Sequence, residues 1–232
     1  MIPLRDRNPT RRTPVVNIGI IVANIAAFLF QLSRGSEVDQ LYFQFGVVPH
    51  DVVTSFNSFQ FATAFLPLFT AIFLHGGWLH LGGNMLYLWI FGDNVEDQLG
   101  RVRYLVFYLL CGLAASALHI FVEPGSEVPT VGASGAISGV LAAYLLMFPK
   151  ARVVTVIPVF LFLQVAELPA LIVLGFWFVI QFFAGIISLN ADSAGAGGIA
   201  WWAHIGGFVA GLALVIPFRR WGKATQNKDF GQ

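Results

Sequence analysis

The sequence predicts an all-α polytopic membrane protein, a bundle of six transmembrane helices. Three observations carry that expectation. Of the 232 residues, 57% are hydrophobic and 11% are charged, with a mean hydropathy of +0.75, whereas a soluble domain is roughly a quarter charged. Apolar runs approaching the ~20 residues needed to cross a hydrocarbon core recur along the chain. The basic residues, finally, divide unevenly between alternate loops. The same figures exclude a soluble globular enzyme and a disordered chain. A net charge of +1, with 13 scattered Lys and Arg, leaves no basic face for nucleic acid. The single cysteine, Cys111, excludes an intrachain disulfide and a cysteine-based metal site. At roughly 30–40 residues per span plus loop, this length holds about five to seven spans.

The elements follow in order. Residues 1–14 form a basic cytoplasmic tail with Arg5, Arg7, Arg11 and Arg12. The run 15–32 is too long for the h-region of a signal peptide and no small-x-small cleavage site follows it, so it is the first span. Residues 33–68 are too polar to span and too aromatic for a plain linker, which places them at the membrane interface. The second span lies in 74–91 and opens with His75, Gly76 and Gly77. A turn-like stretch, 92–103, leads to the third span, 104–122. The loop 123–130 carries Pro124 and Pro129, and 134–148 is a short fourth span. Residues 153–165 are apolar but hold Pro158, so they are expected at the interface or buried against the bundle. The fifth span is 168–189, the sixth is 199–218, and a basic tail follows at 219–232. The six spans thus lie within 15–218. No internal repeat suggests a two-fold transporter.

Orientation follows from the loops. With six spans, one side holds Arg5, Arg7, Arg11, Arg12, Arg101, Arg103, Lys150, Arg152, Arg219, Arg220, Lys223 and Lys228; the other holds Arg34. Both termini are therefore expected in the cytoplasm. An odd number of spans would split the basic termini across the membrane.

Polar side chains inside spans are costly and mark function or packing. His80 and Asn84 are four residues apart and share a helix face. Alone they read as interhelical glue, worth ~0.6 kcal/mol per bond. Gly132-Ala133-Ser134-Gly135 sets a serine at the start of a short helix. Glycines admit a close backbone, and unpaired N–H groups at a helix N-terminus can hold an oxyanion. Alone, Gly135 and Gly139 equally suggest a small-residue packing surface. His204 precedes Gly207 and Gly211, a GxxxG face for close helix approach, and on its own is as well explained as a structural or ion-path histidine. Taken together, serine and histidine on two closely packing helices are the nucleophile and base of acyl transfer. No acidic residue lies mid-span beside them, so a dyad is expected, with the histidine oriented by packing.

These residues make the chain resemble the rhomboid family of intramembrane serine proteases. The resemblance runs from Phe45-Gly46-Val47-Val48-Pro49 to Gly211. It rests on the segments from His75 to Met85, from Gly132 to Ala136 and from Ala203 to Gly211, on the second, fourth and sixth spans. Gly92, Glu96 and Gly100 also look like the family's cytoplasmic turn after the second span. The resemblance implies Ser134 as nucleophile and His204 as general base. It implies His80, Asn84 and the Ser134 backbone N–H as oxyanion donors, Gly132 as a cavity-lining residue, and Gly207 and Gly211 as packing glycines. It implies a six-helix bundle with a water-filled cavity open opposite the cytoplasm, a first loop half-embedded in the outer leaflet, residues 190–199 as a cap loop and the fifth span as a lateral gate. Two departures stand out. Leu66-Pro67-Leu68-Phe69-Thr70 lies where the family usually carries a Trp-Arg pair. Ser138 lies where an aromatic commonly packs on the histidine ring; either another aromatic, Trp201 or Trp202, packs on His204, or the imidazole is less restrained, or Ser138 hydrogen-bonds it instead.

The implied activity is serine endopeptidase cleavage of transmembrane segments of single-span or polytopic membrane proteins, within the lipid bilayer, through an acyl-enzyme. It needs no metal or organic cofactor. Neutral His204 is required as base, so activity is expected to fall at acidic pH. The alternative is a rhomboid-like protein that binds transmembrane segments without cutting them; inactive members usually lack the serine or the histidine, and both are present here. A transporter or channel would show charged residues within spans and paired broken helices. A zinc protease would show His-Glu-x-x-His. Gly92-Asp93 has no membrane-embedded aspartate partner. The short basic termini and lone cysteine lean toward a bacterial inner membrane. Oligomeric state, substrate and cleavage site are not encoded legibly.

Overall fold

The computed structural model describes residues 1–159, 162–189 and 200–226. Helices occupy the six positions where the apolar runs place spans: α1 (Val15–Ser33), α5 (Trp78–Leu99), α6 (Arg101–Val122), α7 (Ser134–Met147), α8 (Ala170–Ser188) and α9 (Trp201–Gln226). Between α1 and α5, residues expected at the interface form three short helices, α2 (Val38–Phe45), α3 (Pro49–Asn57) and α4 (Phe61–Thr70). By length and composition α1, α6, α8 and α9 can each cross a membrane, while α7 is shorter. The segment Phe61–Phe73 with α5 passes the same test as a pair bent by 81°. The protein is thus an integral membrane protein with a polytopic helical fold.

Helix α7 is the centre. Every residue from Gly135 to Tyr144 is buried, so this short helix is walled by protein on all sides. Helices α6 and α9 reach it through small residues. A Cβ on Gly207 would run into the carbonyl oxygen of Gly135, and one on Gly211 into that of Gly139. Contact this close is open only to glycine, and it replaces the hydrophobic effect, which gives helices no reason to associate in lipid. The outer faces of α1 and α8 expose Val22, Leu29 and Phe30, and Leu171, Phe183 and Ile187. That is the pattern of helices turned toward acyl chains.

The turn expected at 92–103 is instead mostly helix. Helix α5 continues to Leu99 and breaks at Gly100, whose φ of 80° favours glycine. Its polar residues are helical because they have partners. Glu96, buried, accepts the Val16 and Asn17 N–H groups at 3.1 and 2.7 Å and caps α1. Asn17 donates to the Leu88 carbonyl at 2.9 Å and accepts the Tyr104 hydroxyl at 2.7 Å. Each such group left unpaired would cost ~1–3 kcal/mol.

Of the stretch 153–165, the described residues belong to an antiparallel sheet, order β1-β2-β3, of β1 (Ile2–Asp6), β2 (Arg152–Val159) and β3 (Phe162–Pro169). The hairpin pairs Arg152 with Pro169 through to Val159 with Phe162. Strand β1, expected as part of a plain tail, pairs with β2 from Ile2↔Val156 to Asp6↔Val153, with an irregularity between Pro3 and Arg5. Burial, opposed by the Tyr144 hydrogen bond, raises the Asp6 carboxyl above its usual range. The Tyr144 hydroxyl donates to Asp6 Oδ2 at 2.5 Å and ties the sheet to α7.

Candidate active site

Ser134 begins α7, and the segment leading into it is held from three directions. Val47 and Thr130 exchange backbone hydrogen bonds at 2.9 and 2.8 Å. The Gly132 N–H donates to the Ala71 carbonyl at 2.9 Å. Thr130 Oγ1 lies 2.9 Å from Nε2 of His119 on α6. Gly132 has φ of 131°, a conformation that L side chains rarely adopt. A Cβ there would also stand 2.7 Å from His80 Nε2. Only glycine satisfies both conditions.

His204, on α9, places Nε2 2.8 Å from Ser134 Oγ. Its Nδ1 lies 2.6 Å from Oε1 of Gln181 on α8. Two indoles flank the imidazole: Trp177 at 6.0 Å between ring centroids, tilted by 38°, and Trp201 at 6.2 Å, edge-on at 88°. Ser138 does not reach His204; its hydroxyl donates to the Ser134 carbonyl at 2.6 Å. Of the three outcomes open for an aromatic missing at Ser138, the structure takes the first, with Trp201 and, unanticipated, Trp177.

His80 and Asn84 line the same cavity of about 660 Å³, together with Gly132, Ser134 and His204. His80 Nδ1 accepts the Gly76 N–H at 3.3 Å, which leaves the proton on Nε2, the nitrogen beside Gly132. The Asn84 amide nitrogen is buried without a hydrogen-bond partner. The first intrahelical bond of α7 runs from Ile137 N–H to the Ala133 carbonyl, so the Ser134 N–H stands outside the ladder. Three donors around one serine thus have no partner among the described residues. The turn before α5 is fixed by α1 and α2. Gln31 brackets the His75 backbone, accepting its N–H and donating to its carbonyl, each at 3.0 Å, and the Tyr42 hydroxyl donates to that carbonyl at 3.0 Å.

The structure brings together Ser134, His204, His80, Asn84 and Gly132, with Gly207 and Gly211 at the α7–α9 contact. Residues 190–199, expected as a cap loop, lie outside the described residues. Sequence reasoning missed Gln181 and Trp177. The signal was present, since Gln181 is the one amide in the apolar run of α8, and a polar group within a span needs a partner.

A bundle of apolar helices around a short buried helix, with a serine–histidine contact in a polar-lined cavity, defines a membrane-embedded protein of the rhomboid type. Residues 62–221 match the Rhomboid domain, and the chain belongs to that family. It is 31% identical over 191 residues to Rhomboid protease GluP of Bacillus subtilis, covering 82% of this chain and 32% of that protein. It is 27% identical over 235 residues to Rhomboid-like protein 11, chloroplastic, of Arabidopsis thaliana, covering 97% and 72%. It is 33% identical over 109 residues to the mitochondrial Presenilin-associated rhomboid-like protein of Mus musculus, covering 46% and 29%. The chain thus spans about a third of the length of the Bacillus relative. These relatives support an integral membrane protein and give no preference for a bacterial membrane over an organellar one.

Proposed function

We propose that the chain is an intramembrane serine endopeptidase that cuts transmembrane segments of other membrane proteins. The 2.8 Å contact between His204 Nε2 and Ser134 Oγ, set in a cavity with free donors, is the observation that carries this reading. A helical peptide bond is shielded by its own hydrogen bonds, so the substrate segment unwinds where small residues weaken it. Its exposed backbone is tolerable only in such a cavity. Ser134 Oγ attacks the scissile carbonyl carbon as its proton passes to His204 Nε2. His80 Nε2–H, the Asn84 amide and the Ser134 N–H hold the oxyanion, each donor worth ~3 kcal/mol. Collapse expels the amine, which takes the proton from His204. Water then attacks the acyl-enzyme, giving its proton to His204, and the acid product leaves with Ser134 restored.

The test is labelling by a fluorescent fluorophosphonate in detergent micelles. Folded wild type is expected to label, and Ser134→Ala and His204→Ala to lose labelling by ~10⁴-fold or more. Well-folded wild type that neither labels nor cleaves a transmembrane substrate in liposomes would sink the protease reading in favour of a non-cutting binder.

A further inference from the structure

A serine–histidine dyad works only if the imidazole presents a bare Nε2 to the serine. The tautomer with its proton on Nε2 would donate to Ser134 Oγ and could not accept its proton. Something must therefore fix the proton on Nδ1. No carboxylate lines the cavity among the described residues. Ser138 is committed to the Ser134 carbonyl. Trp177 and Trp201 confine the ring from the sides, and an indole offers no acceptor.

Gln181 supplies what is missing. It is 7% exposed, lies on the inner face of α8 one turn beyond Trp177, and sets Oε1 2.6 Å from His204 Nδ1. An amide oxygen can only accept, so this contact requires Nδ1–H and leaves the Nε2 lone pair aimed at Ser134. We propose that Gln181 is a positioning residue that fixes the tautomer and orientation of His204, taking with a neutral dipole the place that a carboxylate holds in a triad. Its effect on turnover rests on the protease reading above; its effect on the tautomer does not. An amide lacks the charge that would stabilise the imidazolium, so the gain is that of a neutral hydrogen bond, about tenfold in rate.

The experiment uses the full chain in micelles, wild type against Gln181→Met, which keeps length but removes the acceptor, and Gln181→Glu. Imidazole ¹⁵N shifts, with the His204 signal assigned by its loss in His204→Asn, report the tautomer. Fluorophosphonate labelling of Ser134 reports the base. Wild type is expected to show Nδ1–H alone. Gln181→Met should populate Nε2–H and label about tenfold more slowly. Gln181→Glu should restore labelling and move its acid limb to higher pH, because a carboxylate favours the charged imidazole. The other titratable groups around His204, His80 on α5 and His119 on α6, are common to all variants. A Gln181→Met chain with wild-type tautomer and labelling rate overturns the proposal. Should that variant unfold, an unshifted acid limb in Gln181→Glu overturns it instead. A wild type that does not label, yet loses its Nδ1–H tautomer in Gln181→Met, would leave the positioning role standing and bring down the protease reading.

Discussion

The two sides of His204 are built by different physics. Toward α7, helix α9 is locked by backbone contact: Gly207 lies on the Gly135 carbonyl and Gly211 on that of Gly139. Toward α8, it is met by side chains: Trp177 and Gln181 on the imidazole, and Phe178 stacked on Phe208 at 4.3 Å. A Cβ on Gly185 of α8 would meet the Ile205 side chain of α9 at 3.1 Å, the flexible end of a side chain rather than backbone. The seam that sets the serine–histidine distance therefore has no slack, whereas the helix that orients the ring meets α9 through side chains that can shift. A nucleophile and its base need a fixed separation to within about 0.5 Å. A helix between a cavity and lipid need only return to its contacts.

The largest effect should come from breaking the seam. Gly207→Val would drive methyl groups into the backbone of α7, which cannot yield as a side chain can. Overpacking of this kind costs ~3 kcal/mol or more. We expect a chain that unfolds at much lower temperature in detergent and does not label. Normal unfolding of this variant would show that the seam is not the rigid half. Next in size is the cavity. Asn84→Ala removes a buried donor that has no partner among the described residues. It should leave thermal stability within ~0.5 kcal/mol of wild type and lower turnover by ~10²-fold. A stability loss comparable to the activity loss would recast Asn84 as structural glue.

Much of this was legible from sequence because polar residues inside apolar runs are conspicuous. His80, Asn84, Ser134 and His204 all stand out in this way, and the glycines around them mark where backbones meet. What was not legible is non-local. The hairpin at 152–169 carried a β-branched signal in Val153, Val154, Thr155, Val156 and Ile157, but Pro158 obscured it. Its other strand, Ile2–Asp6, lies about 150 residues away. The charged run after Phe91 reads as a turn because Glu96 is costly in a buried helix. Its partners, the N–H groups that open α1, are 79 and 80 residues distant. Gln181 is hidden differently: the third member of a triad is ordinarily a carboxylate, and an amide accepts the same hydrogen bond.

The smallest effect is the one that sharpens the comparison most. Gly175 and Gly211 are both helical glycines, one with open space where a Cβ would stand and one against the α7 backbone. Gly175→Ala meets open space and removes backbone freedom from α8, so it should stabilise the protein by up to ~1 kcal/mol. Gly211→Ala adds the same methyl group against the Gly139 carbonyl and should destabilise, with the α7–α9 spacing forced to widen. Thermal unfolding of both in one detergent reads the sign of each change. Opposite signs mean that rigidity in this protein is placed where serine and histidine must meet. Equal losses would mean that the space beside Gly175 is filled and that tightness is not confined to the seam.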